Sequence, residues 1–96
     1  MKQIVLTPKA KSDLDGIWNY TEDNWGQEQA EKYIRQIWSD LDATSQDLKP
    51  FVVIDEIMRG FCKTRSGSHV IFFKPYDGGI EIIRILHQSM DFERHL

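Results

Sequence analysis

The chain has one cysteine, Cys62, so no intrachain disulfide can form, a usage that suits a reducing cytoplasm. Long apolar runs are also missing. Nothing approaches the roughly 18 consecutive apolar residues of a membrane helix. The opening Met-Lys-Gln-Ile-Val-Leu-Thr-Pro carries an apolar stretch too short for a signal peptide. There is no glycine-rich phosphate loop, no Gly-x-Ser-x-Gly elbow and no Cys/His set at zinc spacing, so the common motif-bearing nucleotide, hydrolase and zinc classes have no foothold. Repeats, low-complexity tracts and interdomain linkers are absent as well.

What remains is an ordinary globular composition of 96 residues, the size of one domain spanning residues 1–96. Such a chain buries about two-thirds of the surface its unfolded form exposes, enough for one core with little margin. The net charge of −3 argues against a general nucleic-acid binder, but it hides an asymmetry. From Asp13 to Glu56 acids dominate, opposed only by Lys32, Arg35 and Lys49. From Ile57 to Tyr76 there is no acid, while Arg59, Lys63, Arg65 and Lys74 fall there. That polarity either focuses an anionic partner onto one face or gives two differently charged solvated faces.

Gln3 to Leu6 reads as a first strand. Thr7-Pro8 then supplies a hydroxyl N-cap followed by proline at the first helical position, where its missing N–H costs nothing. Ala10, Leu14, Ile17 and Trp18 continue at helical spacing, and Asn24-Trp25-Gly26 breaks the pattern. The second helix carries Ala30, Tyr33, Ile34, Ile37, Trp38, Leu41 and Leu48 on one stripe, and Lys49-Pro50 is expected to end it. Two striped helices joined by a tight turn imply an antiparallel hairpin that needs an apolar cover. Three β-rich runs supply it: Ile57 to Lys63, Ser68 to Lys74 and Ile80 to Leu86, reversed at Arg65-Ser66-Gly67 and at Tyr76-Asp77-Gly78-Gly79. The fold class is therefore α+β, in the order β-α-α-β-β-β: an N-terminal helical hairpin packed on a twisted antiparallel sheet. The first strand must join that sheet at a place the pattern does not give. His87 to Leu96 follows as a short helix or a tail.

Few residues suggest chemistry. His69 and His87 fall at strand ends, where a packed or hydrogen-bonded ring is the ordinary reading, and a metal site needs more convergent ligands than this chain offers. No cofactor is implied. Cys62 reads as a strand cysteine in the core rather than a nucleophile. Trp18, Tyr33 and Trp38 lie on apolar stripes and read as core. Trp25 sits at a turn, as a lid on the hairpin or an interface anchor. The closing run from Arg84 to Leu96 presents both charge signs together with Met90, Phe92 and Leu96; it either docks back on the sheet or offers anchors to a partner.

Arg84-Ile85-Leu86-His87-Gln88-x-Met90-Asp91, closing with Arg94-His95-Leu96, resembles the C-terminal signature of the ParE toxins, within the wider RelE/ParE superfamily. Asp55-Glu56-Ile57, Gly60 and Ser66-Gly67-Ser68-His69-Val70-Ile71-Phe72 fit the same pattern, as do Ala10, Asp13-Leu14, Ile17-Trp18, Tyr20, Trp25-Gly26, Ala30 and Tyr33. One departure is Phe51-Val52-Val53-Ile54, where many relatives carry a glycine-containing turn; it is extra strand or part of an interface.

The resemblance implies the toxin half of a type II toxin–antitoxin pair that binds DNA gyrase and blocks replication. The alternative is a ribosome-dependent mRNA endonuclease of the RelE kind. That branch uses two arginines and a tyrosine at places held here by His69, Met90 and Leu96, and neither Met90 nor Leu96 can shuttle a proton. The resemblance also implies a ParD-like ribbon-helix-helix antitoxin, contact with DNA only through antitoxin or gyrase, and no membrane. A disordered antitoxin segment can add a helix along the hairpin and a strand at an open sheet edge. On this reading Trp18, Trp25 and Tyr33 meet the antitoxin, with Trp18 and Trp25 at one docking groove. Arg59, Arg65, His69, His87, Met90, Asp91, Arg94 and Leu96 meet the target. No catalytic residue and no metal ligand is assigned.

Overall fold

Thr7 begins the first helix as its neighbours suggest, in a computed structural model that describes residues 2–96. Its hydroxyl accepts from the Ala10 N–H at 3.1 Å and donates to the Ile83 carbonyl at 2.8 Å, so one side chain both caps the helix and ties it to a distant strand. Helix α1 runs Pro8–Trp25 and α2 runs Gln27–Ser45, with Gly26 between them. The strands are β1 Gln3–Leu6, β2 Val52–Val53, β3 Cys62–Ser66, β4 His69–Tyr76 and β5 Gly79–His87, and a 3-10 turn follows at Phe92–Arg94.

The α+β class and the hairpin-on-sheet arrangement hold. The sheet has five strands in the order β1-β5-β4-β3-β2. β1 joins parallel to β5, and the other pairs are antiparallel. Gly79 makes the parallel join possible, because a Cβ there would collide with the backbone of Gln3.

Two apolar clusters cover the two faces. Ala10, Leu14, Ile17, Ile37 and Leu41 from the hairpin pack on Cys62, Ile71, Phe73, Ile80, Ile82 and Ile85. On the opposite face Ile54, Val70, Phe72 and Leu86 are covered by Ile57, Phe61, Phe92 and Leu96, so the tail does dock back on the sheet. A bulge in β5 explains the pattern: Phe72 pairs with Arg84 but Phe73 pairs with Ile82. The extra residue places Ile82 and Ile85 on the hairpin face although they are three apart, and sends Leu86 to the tail face.

Several boundaries differ from the sequence reading: Asn24 and Trp25 complete α1, which leaves Gly26 alone in the turn, and β3 takes in Arg65 and Ser66 from the expected reversal. The second helix ends at Ser45, not at Lys49-Pro50. Asp47 adopts a left-handed φ of 58°, the Leu48 N–H bonds the Ala43 carbonyl and the Asp47 N–H bonds the Thr44 carbonyl. This is a Schellman stop built on aspartate instead of glycine. Leu48 consequently leaves the stripe and is 74% exposed. The strand expected from Ile57 starts only at Cys62. Asp55 accepts from the Gly60 N–H at 2.8 Å and Met58 bonds back to Ile54, so residues 54–61 form a turn that presses Ile57 and Phe61 into the second cluster. Phe51-Val52-Val53 does yield an extra strand, the short β2 at the sheet margin.

Candidate functional site

At one end of the sheet, α2 meets the start of β4 and the end of β5. His69 and His87 are cross-strand partners there, with ring centroids 5.4 Å apart and planes at 90°. Tyr33 reaches over from α2, its hydroxyl 2.6 Å from His69 Nδ1 and accepting from the Ser68 N–H at 3.0 Å. The phenol has one proton to give, to His69 Nδ1 or to the Ser66 carbonyl at 3.4 Å. Burial above all, and then the neighbouring His87, lower the His69 pKa to about 4 against a partial offset from Asp13. His69 is therefore neutral near pH 7. Gly67 permits the contact: its φ is +58°, and an added Cβ would stand 2.7 Å from the Tyr33 hydroxyl.

Around this cluster lies a cleft of about 280 Å³ lined by Tyr20, Trp25, Gln29, Tyr33, His69 and His87. Trp25 and Tyr20 form its outer wall, 65% and 62% exposed, with centroids 6.0 Å apart. It shares Tyr20, Thr21, His69 and His87 with a groove of about 570 Å³ that runs along Gly16 to Ser89 and Met90. Beneath the groove Asp13 accepts from Arg84 Nε and Nη2, each at 2.8 Å, and from the Ile85 N–H at 2.9 Å. The hydrogen bonds to Asp13 push the guanidinium pKa above its usual value, so this arginine stays charged although largely buried.

The residues singled out by sequence fall in several places. His69, His87 and Met90 share the groove, and Trp25 and Tyr33 share the cleft. Trp18 is not with Trp25: it lines a separate surface recess with Leu6, Ile34 and Trp38. The single docking groove expected around the two tryptophans is thus two clefts, because Trp25 ends its helix and leans onto Tyr20. Arg59 is in the turn before β3, at the end of the β3–β4 ladder opposite His69. Arg65 donates to Gln88. Asp91 and Arg94 are exposed, whereas Leu96 packs into the second cluster. Cys62 is buried, and burial followed by the charge of Asp55 raises its thiol pKa, which keeps the sulfur protonated. Among the described residues no three His, Cys, Asp or Glu side chains converge. Tyr20, Asp13 and Arg84 entered the sequence reading only as parts of the family pattern, with no role or pairing assigned; an acid beside an apolar helical stripe and an arginine inside a β-branched run were the further signals available.

The family model described as the ParE toxin of the type II toxin–antitoxin system parDE matches residues 4–92. The chain belongs to the ParE toxin family. Toxin ParE1 of Caulobacter vibrioides is 38% identical over 96 residues, covering 100% of this chain and 99% of that protein. Toxin ParE1 of Mycobacterium tuberculosis is 38% identical over 93 residues, covering 96% and 95%, and Toxin ParE of Escherichia coli is 30% identical over 97 residues, covering 100% and 94%. The ParE fold itself recurs in the chromosomal ParDE TA system from P. aeruginosa, at a TM-score of 0.75 and 22% identity over 91% of this chain and 96% of that one. The YoeB dimer from Staphylococcus aureus shares it more loosely, at a TM-score of 0.62 and 16% identity over 90% and 95%. The hairpin, the sheet-end imidazole pair and the docked tail are thus features of a ParE-family toxin.

Proposed function

We propose that this ParE-family chain acts in the cytoplasm by gripping a protein target, DNA gyrase, and so blocks replication without breaking a bond itself. One observation carries the reading: the three positions at which the nuclease branch places its proton-handling groups hold no working set. Met90 and Leu96 have no exchangeable side-chain proton, and Leu96 lies on the tail face while His69 lies on the hairpin face. His69, with its pKa near 4 and Nδ1 held by Tyr33, is a weak base and not an acid near neutral pH. His87 and Met90, which line the groove, and the exposed Asp91 and Arg94 that follow in the chain are the surface we assign to the target.

A ParD-like ribbon-helix-helix antitoxin neutralises the chain by laying an amphipathic segment on the hairpin, anchored by the Tyr20–Trp25 wall, Tyr33 and the Trp18 recess. DNA is reached only through that antitoxin or through gyrase. The test is a pair of assays on purified protein. Supercoiling by gyrase should slow, or cleaved DNA complexes accumulate, while mRNA on ribosomes stays intact. Position-specific cleavage of ribosome-bound mRNA would refute the proposal.

A further inference from the structure

Exposed apolar residues crowd one short segment at the sheet margin farthest from β1. Leu48, Phe51, Val52, Val53 and Met58 all face solvent, Val52 and Val53 at 57% and 52% exposure. They lie in and around β2, the last strand of the sheet, which pairs only with β3. Ile54 donates inward to the Phe61 carbonyl at 2.9 Å, and Val52 pairs with Lys63. Inward and outward backbone groups alternate along an antiparallel ladder, so the N–H and C=O of Val53 point to the open side. Such an edge is a template for a further chain.

The charges beside β2 are split by sign along the strand, and this says what kind of chain fits. A groove of about 620 Å³ toward its Lys49 end carries Lys63 and Arg65 and no carboxylate. The turn after β2 opens with Asp55 and Glu56 and reaches Arg59 toward its close. Lys63, Arg65, Asp55 and Glu56 form no ion pair among the described residues. Arg65 bonds the neutral amide of Gln88, and Asp55 the Gly60 N–H. A uniformly acidic polypeptide or a nucleic-acid strand would meet the cations but also face Asp55 and Glu56. An inverted copy of the same edge answers both ends. Antiparallel pairing centred on Val53 sets Pro50 of one copy across from Glu56 of the other. Continuing the Val52–Lys63 register by two residues puts Pro50 beside Arg65. Glu56 and Arg65 then stand two strand spacings apart, roughly 10 Å between backbones, which two long side chains span. The same axis brings Val52 beside Ile54 and the Leu48 end toward the Met58 end. At the β1 margin Lys2 is already matched by Asp47 at 3.6 Å.

We propose that the β2 edge is a self-association surface whose occupant is a second copy of this chain. Two β2 strands pair antiparallel about a two-fold axis at Val53, join two five-stranded sheets into one, and set Glu56 of each copy against Arg65 of the other. Val53 of each copy exchanges both backbone hydrogen bonds with its equivalent. A contact of this kind is isologous and closes at two copies. It takes no residue from the Trp25 cleft or from the groove along His69. The association therefore stands apart from the target and the mode of action proposed above.

Sedimentation equilibrium on the full chain tests this directly. The weight-average mass should climb from one copy toward two as concentration rises, and no further, while the Val53 amide becomes protected from hydrogen exchange in step. Arg65 and Glu56 are both exposed, so R65E and E56K leave the fold intact. Each sets like charges across the axis and should weaken the association at least about tenfold. An equimolar mixture of the two variants should restore it, because every Arg65–Glu56 contact between unlike copies then joins opposite signs. V53P removes the outward N–H and should abolish association whatever the charges. A chain that stays monomeric at every concentration, dimers that survive both single variants, or a mixture no more associated than its components would overturn the proposal. So would an acidic peptide or a single-stranded oligonucleotide that shifts the Val53 and Arg65 amides of the monomer and binds there more tightly than a second copy.

Discussion

Asp13 closes the free edge of β5 and, through Arg84, fastens the chain's tail. β1 pairs only with Gly79–Ile82, so the rest of β5 has no strand on that side. Thr7 and Asp13 stand in for one, taking the Ile83 carbonyl and the Ile85 N–H. Arg84, held by Asp13, donates its other nitrogen to the His95 carbonyl at 2.9 Å. One largely buried ion pair therefore joins the hairpin, the sheet edge and the last residues of the chain. Asp13→Asn strands a buried guanidinium and should cost about 3 kcal/mol. Adding Arg84→Met should recover part of the loss, and urea unfolding of both variants checks it. An Asp13→Asn protein as stable as the parent would show that the clamp is dispensable.

The His69 pKa makes stability depend on pH with a definite sign. Folding holds the imidazole near 4 against its ordinary 6.5, so the unfolded chain takes up the proton first. The stabilisation is fully present above pH 6.5 and drains away as pH falls toward 4. His69→Gln should flatten that slope in denaturation midpoints measured between pH 7.5 and 4. Imidazole NMR titration should find His69 still neutral at pH 5.5.

The Tyr20–Trp25 wall is exposed, so truncating it should leave the fold alone and injure binding. Trp25→Ala should shift stability by less than about 0.5 kcal/mol while weakening antitoxin binding about thirtyfold, as a centrally placed aromatic anchor does. Calorimetric titration against thermal melts separates the two effects. An unchanged affinity would remove the cleft from the antitoxin surface.

Residues of the tail divide by face, and substitutions should divide with them. Phe92 packs edge-on against Phe72 at 4.8 Å, so Phe92→Ala should cost about 3 kcal/mol. Met90→Ala and Arg94→Ala should leave the melting temperature nearly unmoved and lower toxicity. Growth assays beside thermal melts decide between them; full toxicity in both variants would move the target surface elsewhere.

Much of this was legible early. The Thr7-Pro8 start, the two striped helices and the β4–β5 reversal near Asp77-Gly78 are local patterns with local causes, and the structure keeps them. The Schellman stop at Asp47 was missed because an aspartate there resembles any helical acid until its φ is known. The turn at residues 54–61 was missed because Ile57, Met58 and Phe61 have the composition of a strand and only the Asp55–Gly60 bond bends them.

Periodicity, turn residues and the ordered family signature thus determined the two helices, four of the five strands, their order and the toxin family, since each depends on neighbours within a few positions. Tertiary structure alone decided where β1 joins, which way the bulge turns Arg84 and Leu86, that Trp18 and Trp25 part company, and that Tyr33 meets His69. Those facts rest on contacts between residues dozens of positions apart, and the free energy of such contacts comes from shared burial and closed hydrogen bonds that no short stretch of chain contains.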